Sequence, residues 1–230
     1  MRLPKVTCVR RLDYILENCR GRKVLNLGCA SSPTTRQRYE EGRLLHSRVQ
    51  EVAAECWGLD LDGDALEYLE AKGVRNLYTG NVERLDETAL PGSERFDLIL
   101  AGELIEHLCN PGLFLDGVAQ RLRPRGCLLL STVNAFPIKR LFRVMWRNEV
   151  TYAEHTAYYT YSTLKKLLSY AGFCIQDFHV YYLEDGDLYF HQPLRSRVAN
   201  AFLRRLPIFN YLADGFVFTA RLRGFRSGHH

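Results

Sequence analysis

No C-x-x-C pair occurs in this chain of 230 residues; its seven cysteines, at positions 8, 19, 29, 56, 109, 127 and 174, are scattered. Several lie inside apolar runs where a thiol acts as a small hydrophobe, which argues against a disulfide framework or a structural zinc site. Long apolar runs are also lacking. The stretch around Leu128-Leu129-Leu130 falls far short of the roughly 18 to 20 residues a spanning helix needs. Behind Met1-Arg2-Leu3-Pro4-Lys5 there is no apolar core and no small-residue cleavage site, so a cytoplasmic chain is expected. Internal repeats, low-complexity tracts, a recognisable RNA-binding module and a pooled Gly/Pro linker are absent as well. What is present is an ordinary globular mix, 47% hydrophobic and 25% charged. It predicts one domain over residues 1–226, and Ser227-Gly228-His229-His230 looks like a tag remnant.

The net charge of +5 is unevenly placed, because residues 193–230 carry seven arginines against Asp214 alone. Such a tail can meet phosphate or anionic lipid, although a solvated rim is the simpler account and nucleic acid is not expected as a partner. Short β-rich runs at Lys23 to Cys29, Cys56 to Asp62, Asn76 to Val82, Phe96 to Gly102, Gly126 to Val133, Cys174 to Tyr182 and Phe216 to Leu222 alternate with helix-period segments. Leu45, Val49, Val52 and Ala53 mark one such segment; Phe114, Val118 and Leu122 mark another; Leu164, Leu167, Leu168 and Ala171 mark a third. Gly73 and Gly172 sit where helix C-termini would place a left-handed residue, and Pro111 and Pro193 suit first helical turns. The rhythm predicts an α/β fold: a Rossmann-like, doubly wound, seven-stranded, mostly parallel sheet with helices on both faces. Periodicity does not fix how the last two strands pair.

Chemistry collects at the strand ends. Val24-Leu25-Asn26-Leu27-Gly28-Cys29-Ala30-Ser31-Ser32 is a buried strand running into small residues, which let a ligand approach the backbone. A tight strand-to-helix turn would read the same way, and only the first glycine of a G-x-G-x-x-G fingerprint is present. The next strand ends in Asp60-Leu61-Asp62. Asp60 suits the two hydroxyls of a ribose, while Asp62 suits the N-cap of the following helix. After the third strand, Asn81 and the backbone N–H of Val82 can meet the edge of an adenine. The fourth strand passes through Ala101-Gly102 into Glu103-Leu104-Ile105-Glu106-His107-Leu108. As a helix, this run would put Glu103, Glu106, His107 and Asn110 on one face and Leu104, Ile105 and Leu108 on the other.

From about Lys23 to Phe178 these pieces resemble the class I S-adenosylmethionine-dependent methyltransferases, closest to the small-molecule branch that includes the ubiquinone-biosynthesis O-methyltransferases. The matching runs are V-L-N-L-G-C-A, G-L-D-L-D, G-N-V-E, F-D-L-I-L-A-G-E-L-I-E-H-L, L-R-P-R-G-C-L-L-L-S-T-V-N and H-T-A-Y-Y-T-Y-S-T-L-K-K-L-L-S-Y-A-G-F, in that order. The resemblance implies S-adenosylmethionine as cofactor and S-adenosylhomocysteine as product. It implies Asn26, Gly28 and Ala30 around the methionine portion, Asp60 and Leu61 at the ribose, Asn81 and Val82 at the adenine, and Ala101 with Gly102 lining the sulfonium pocket. Three departures stand out: Asn26 where the family usually has Asp, Ala30 where it has Gly, and the long polar stretch Ser31 to Gly42.

Methyl transfer from a sulfonium is an in-line displacement in which the protein aligns a nucleophile and removes its proton. His107 and His155 are the two candidates for the base, with O-methylation favoured over N-methylation. In the quinone branch the E-x-x-E-H pattern is linked to a divalent metal, so Glu103, Glu106 and His107 are an open alternative; many relatives carry E-H without one. Residues 135–195 are expected on the substrate side. Eight of the thirteen tyrosines fall between Tyr152 and Tyr189, which suits an aromatic, quinone-like or glycosidic acceptor. Phe136 to Arg147 interleaves basic and apolar groups, as an ordinary amphipathic helix, a lid or a membrane-touching segment would. An RNA-modifying enzyme using the basic tail, and a catalytically silent scaffold motivated by Asn26 and Ala30, are the alternatives.

Overall fold

The computed structural model describes residues 3–149, 151–183 and 207–223. Pro193 and most of the arginine-rich tail, including Arg195, Arg197, Arg204, Arg205 and Arg226, lie outside them, as does the predicted tag remnant. In chain order the strands are β1 (Thr7–Cys8), β2 (Lys23–Leu27), β3 (Glu55–Asp60), β4 (Leu77–Thr79), β5 (Phe96–Gly102), β6 (Leu122–Val133), β7 (Phe173–Tyr181) and β8 (Gly215–Leu222). The helices are α1 (Arg11–Cys19), α2 (Thr35–Glu40), α3 (Leu45–Gln50), α4 (Gly63–Ala71), α5 (Pro111–Arg121), α6 (Ile138–Met145) and α7 (Tyr161–Tyr170).

The eight strands among the described residues join one sheet in the order β1-β7-β8-β6-β5-β2-β3-β4. The seven expected strands are there; the eighth, β1, is two residues long at the edge and too short to leave a period. Pairing is parallel except where β8 slots antiparallel between β6 and β7, which settles the pairing that periodicity left open. Because β2 pairs with both β3 and β5, the strand order reverses there, and in open α/β sheets the carboxyl ends of the strands at such a reversal are where ligands bind.

The period-2 alternation of buried strands explains the two layers. Leu25, Leu27, Ile99, Ala101, Leu128 and Leu130 point to one face, covered by Phe114, Leu115 and Val118 of α5 and Leu164 and Leu168 of α7. Val24, Leu98, Leu100 and Leu129 point to the other, covered by Ile15 and Cys19 of α1 and Val49 of α3. Gly73 and Gly172 take φ of +90° and +78°, the left-handed values expected at those helix ends. Pro111 opens α5, and Thr160 with Thr163 forms a capping box at the start of α7. The polar stretch Ser31 to Gly42 contains α2, a helix without a strong apolar stripe.

Candidate active site

Four strands deliver the predicted residues to one edge of the sheet. Leu27 pairs with Leu59 on one side and Ala101 on the other, so Gly28, Asp60 and Gly102 stand level at the carboxyl ends of β2, β3 and β5. Gly28 has φ of +70°, and a Cβ there would come within 3.1 Å of Leu104, so the tight turn after β2 needs its glycine. Ala30 follows with no positive φ; Ser31, at +60°, takes the left-handed conformation instead. Alanine therefore fits at this position without backbone strain. The Ala30 N–H donates to Asp60 Oδ2 at 2.8 Å and the Asp62 N–H to Asp60 Oδ1 at 3.1 Å. Asp60 thus ties the turn after β2 to the turn after β3, and Leu61 beside it is exposed.

Asp62 caps α4 as expected, accepting from the Ala65 N–H at 3.0 Å, and its hydrogen bond from Ser32 holds its carboxyl below the usual range. Asn81 is exposed beyond β4, its Oδ1 accepting the Glu83 N–H at 2.9 Å, with Val82 buried next to it. Asn26 differs from the others: it is buried on the α3 face and lies 3.3 Å from Nδ1 of the buried His46. Burial also pushes the His46 imidazole down to about 4, so the pair is neutral at pH 7. The amide thus suits a buried, uncharged partnership within the fold.

The run after β5 is not the helix that its polar and apolar faces predicted. Glu103 adopts φ of +55°, and only a single 3₁₀ turn, Ile105–His107, follows. With the helix broken, Glu106 is buried together with Ile105 rather than set opposite it. Asn110 turns away too, bonding Glu83 through its backbone N–H at 2.8 Å and its side chain at 3.0 Å. Glu103 accepts a hydrogen bond from the buried Tyr181 hydroxyl.

What the turn assembles is a compact titratable group. Glu106 Oε2 accepts from the Thr132 hydroxyl at 2.9 Å while Oε1 has no partner among the described residues. Burial, reinforced by the Glu103 charge, raises the Glu106 carboxyl to about 8. Thr156 pins the following loop to the turn, its N–H reaching Glu106 O and its hydroxyl Leu108 O, both at 2.8 Å. That loop carries His155 against His107, with ring centroids 4.7 Å apart and planes at 87°. The two candidate bases, 48 residues apart in sequence, therefore occupy one site. His155 Nδ1 lies 3.1 Å from the Tyr158 hydroxyl, and burial, followed by His107 and Arg140, lowers its imidazole to about 4. Ligand atoms of Glu106, His107 and His155 fall within 4.8 Å of one another, a carboxylate and two imidazoles of the kind first-row cations accept. Glu103, which the sequence grouped with Glu106 and His107 as an alternative metal set, is turned to Tyr181 instead.

One cation was not legible as a site residue. Arg11, at the start of α1, donates from Nε to Ser131 Oγ at 3.0 Å and lies over the Tyr181 ring at 5.8 Å. Its Nη2 would be 3.2 Å from a Cβ placed on Gly102, so it lies against the carboxyl end of β5. In sequence, Arg10-Arg11 has only the signature of a solvated helix start.

The methyltransferase domain model matches residues 4–177. The chain belongs to the methyltransferase domain family. Among curated relatives of this methyltransferase, the ubiquinone biosynthesis O-methyltransferase of Azorhizobium caulinodans is 31% identical over 124 residues, covering 52% of this chain and 43% of that one. The chain spans about half the length of the curated relatives it matches. Among solved structures, a SAM-dependent methyltransferase from Archaeoglobus fulgidus superposes with a TM-score of 0.56 at 18% identity, covering 91% of this chain and 90% of that one. The magnesium protoporphyrin IX methyltransferase of Synechocystis, solved with bound SAH, gives 0.54 at 14% identity, covering 93% and 82%. The fold of this methyltransferase is that of the S-adenosylmethionine-dependent enzymes, and no helix among the described residues is long and apolar enough to cross a membrane.

Proposed function

We propose that this methyltransferase moves a methyl group from S-adenosylmethionine to a hydroxyl oxygen of a small aromatic, quinone-like or glycosidic acceptor. The observation that carries the reading is the meeting of His107, His155 and buried Glu106 beside the carboxyl edge of β5. The ubiquinone-biosynthesis relatives, O-methyltransferases by name, support oxygen as the acceptor atom. S-adenosylmethionine supplies a methyl carbon already activated on a sulfonium. Asp60 and Leu61 take its ribose, Asn81 and Val82 its adenine, and Gly28 and Ala30 admit its methionine portion. Arg11 offers a cation to the methionine carboxylate above Gly102 and Ala101. As the C–O bond forms and the C–S bond breaks, the hydroxyl proton passes to a base. Burial lowers the His155 imidazole to about 4. Proton transfer is accordingly assigned to His107, with His155 and the uncharged Glu106 packed around it. Residues 135–195 are assigned to the acceptor side, of which 150 and 184–195 lie outside the described residues.

Two measurements test this. Thermal shifts with S-adenosylhomocysteine, S-adenosylmethionine, NAD and no ligand should respond to the adenosyl compounds alone, by roughly 2.7 kcal/mol at about 100 times the dissociation constant. In an acceptor screen, His107→Ala should lower turnover by about 100-fold or more with cofactor affinity unchanged, and His155→Ala by less. Wild-type turnover in both variants would remove the histidine base from the scheme. The silent-scaffold alternative is weakened by the accommodation of Ala30 and by the burial of Asn26 against His46.

A further inference from the structure

We propose that a cleft at the β7 edge of the sheet, away from the histidine site, binds a small phosphorylated aromatic compound of nucleotide size. The cleft has a volume of about 400 Å³, within the usual range for small-molecule sites, and its walls come from α7, β7 and the segments before β1 and after β8. It exists because β1 is short. β1 pairs only with His179 and Val180, so the outer edge of β7 ahead of them has no strand beside it among the described residues. The chain before β1 is drawn to the 3₁₀ turn Pro207–Leu212 instead, the Asn210 side chain donating to Val6 O at 2.8 Å and the Tyr211 hydroxyl to Pro4 O at 2.9 Å. β7 also carries a bulge here, its register slipping between Ile175 and Asp177. Phe173 pairs with Leu222 at this end of β7, while Tyr181 pairs with Gly215 at the other, which lies beside Val133 at the carboxyl end of β6. The cleft therefore sits toward the opposite end of the sheet from the methyl-transfer residues, and binding there does not depend on the reaction proposed above.

Charge and shape select the ligand. Lys5, Lys165 and Arg223 line the cleft against one carboxylate, Asp177. That carboxylate is already engaged, Oδ2 accepting from the Tyr14 hydroxyl at 3.0 Å and lying 2.8 Å from His179 Nε2. Arg223 is held in place, its Nη2 donating to Ser169 Oγ at 2.7 Å. Three bases against one acid leave an excess of two positive charges, which a phosphate monoester matches at neutral pH and a single carboxylate does not. The apolar part of the wall is aromatic. Tyr161 meets Phe178 edge to face, with centroids 4.8 Å apart and planes at 81°, and Phe178 stacks in turn on the buried Phe218 at 5.7 Å. A planar ring entering the cleft extends this series of aromatic contacts while its phosphate meets the bases.

Cys174 makes the cleft measurable, because it lines the wall with an exposed thiol, while Cys109, also exposed, stands two residues beyond His107 and serves as the internal control. Alkylation of both thiols by iodoacetamide is followed by peptide mass spectrometry on the full chain in the presence of S-adenosylhomocysteine. Uridine 5′-monophosphate at about ten times its dissociation constant, measured by calorimetry, should slow Cys174 about tenfold and leave Cys109 unchanged. Uridine, which lacks the phosphate, and inorganic phosphate, which lacks the ring, should each bind about tenfold more weakly or worse. Lys5→Ala and Lys165→Ala should each weaken nucleotide binding about tenfold, with unchanged melting temperatures showing that the variants fold. No protection of Cys174, protection indifferent to both lysine changes, or inorganic phosphate binding as tightly as the nucleotide would overturn the proposal. So would protection of Cys109 in place of Cys174, which would put the nucleotide in the methyl-transfer site, or a Cys174 closed to alkylation before any ligand is added, which would mean that the chain itself fills the cleft.

Discussion

Replacing Glu106 by glutamine should make the protein more stable in alkaline solution, by an amount its burial sets. The carboxyl is fully buried with one oxygen unpaired among the described residues, and burial pushes it from its usual 4.5 up to about 8 in the folded protein. Between those values the folded state holds a proton that the unfolded state has released, so stability falls as pH rises through the window and the favourable contribution is complete only below about 4.5. His46 and His155, both lowered to about 4 from 6.5, act in the opposite sense: their contribution is full above 6.5 and is lost as pH falls toward 4. From pH 6.5 to 8 Glu106 therefore dominates among these three groups. At 1.36 kcal/mol per pH unit the wild type should lose about 2 kcal/mol across that interval, or about 4–8 °C in melting temperature for a chain of this size. Glutamine keeps the shape and can still accept from Thr132, so the variant's melting curve should stay nearly level over the same interval. Thermal unfolding at a series of pH values for the two proteins is the assay. Parallel pH dependences would mean that Glu106 is ionised in the fold at neutral pH, and the neutral environment assigned to His107 would go with it.

Other perturbations follow from the same geometry. Asp60→Ala should weaken S-adenosylhomocysteine binding by about 1–3 kcal/mol, as calorimetry would measure, and should loosen the turn held by the Ala30 N–H; unchanged affinity would place the ribose elsewhere. Gly58→Ala should cost about 1–3 kcal/mol in denaturant titrations, because the new Cβ would meet Cys29 Sγ and Leu77 at 2.7 Å and His46 at 2.9 Å beneath the loop after β2. Tyr181→Phe should leave the fold intact and remove the hydroxyl that bonds Glu103; since the Glu103 charge helps to raise Glu106, the alkaline loss of stability should change in size, a shift that pH-dependent melting would detect.

Seven of the eight strands, and the strand-end positions of Gly28, Asp60, Asn81 and Gly102, were legible in the sequence because each is carried by a short-range signal: an alternating or buried run closed by small or polar residues. The stretch from Glu103 to His107 was not. Its i, i+3, i+4 spacing is that of a helix, but a residue at positive φ is a property of the turn it must make, and that turn is imposed by Ser131, whose carbonyl accepts the Glu103 N–H at 2.9 Å. The meeting of His107 with His155, and of Arg11 with Ser131 and Gly102, is tertiary in the same sense. No local pattern records which loop folds over which strand end.

The insertion of β8 between β6 and β7 also sets the order in which the chain can be completed. Residues 173–181 have β1 and β8 as their neighbours, and β6 has β8 on its outer side, so the two parts of the sheet are joined only by a segment made after both. During synthesis from the amino terminus, the block from β2 to β6 can pair as it emerges. Phe178, Val180 and the open edge of Leu128 to Val133 must wait until residues 215–222 have left the ribosome. For that interval two apolar strand edges await their partner, which makes the arrival of the last strand the step at which a nascent chain of this protein is most exposed to mispairing and most in need of a chaperone.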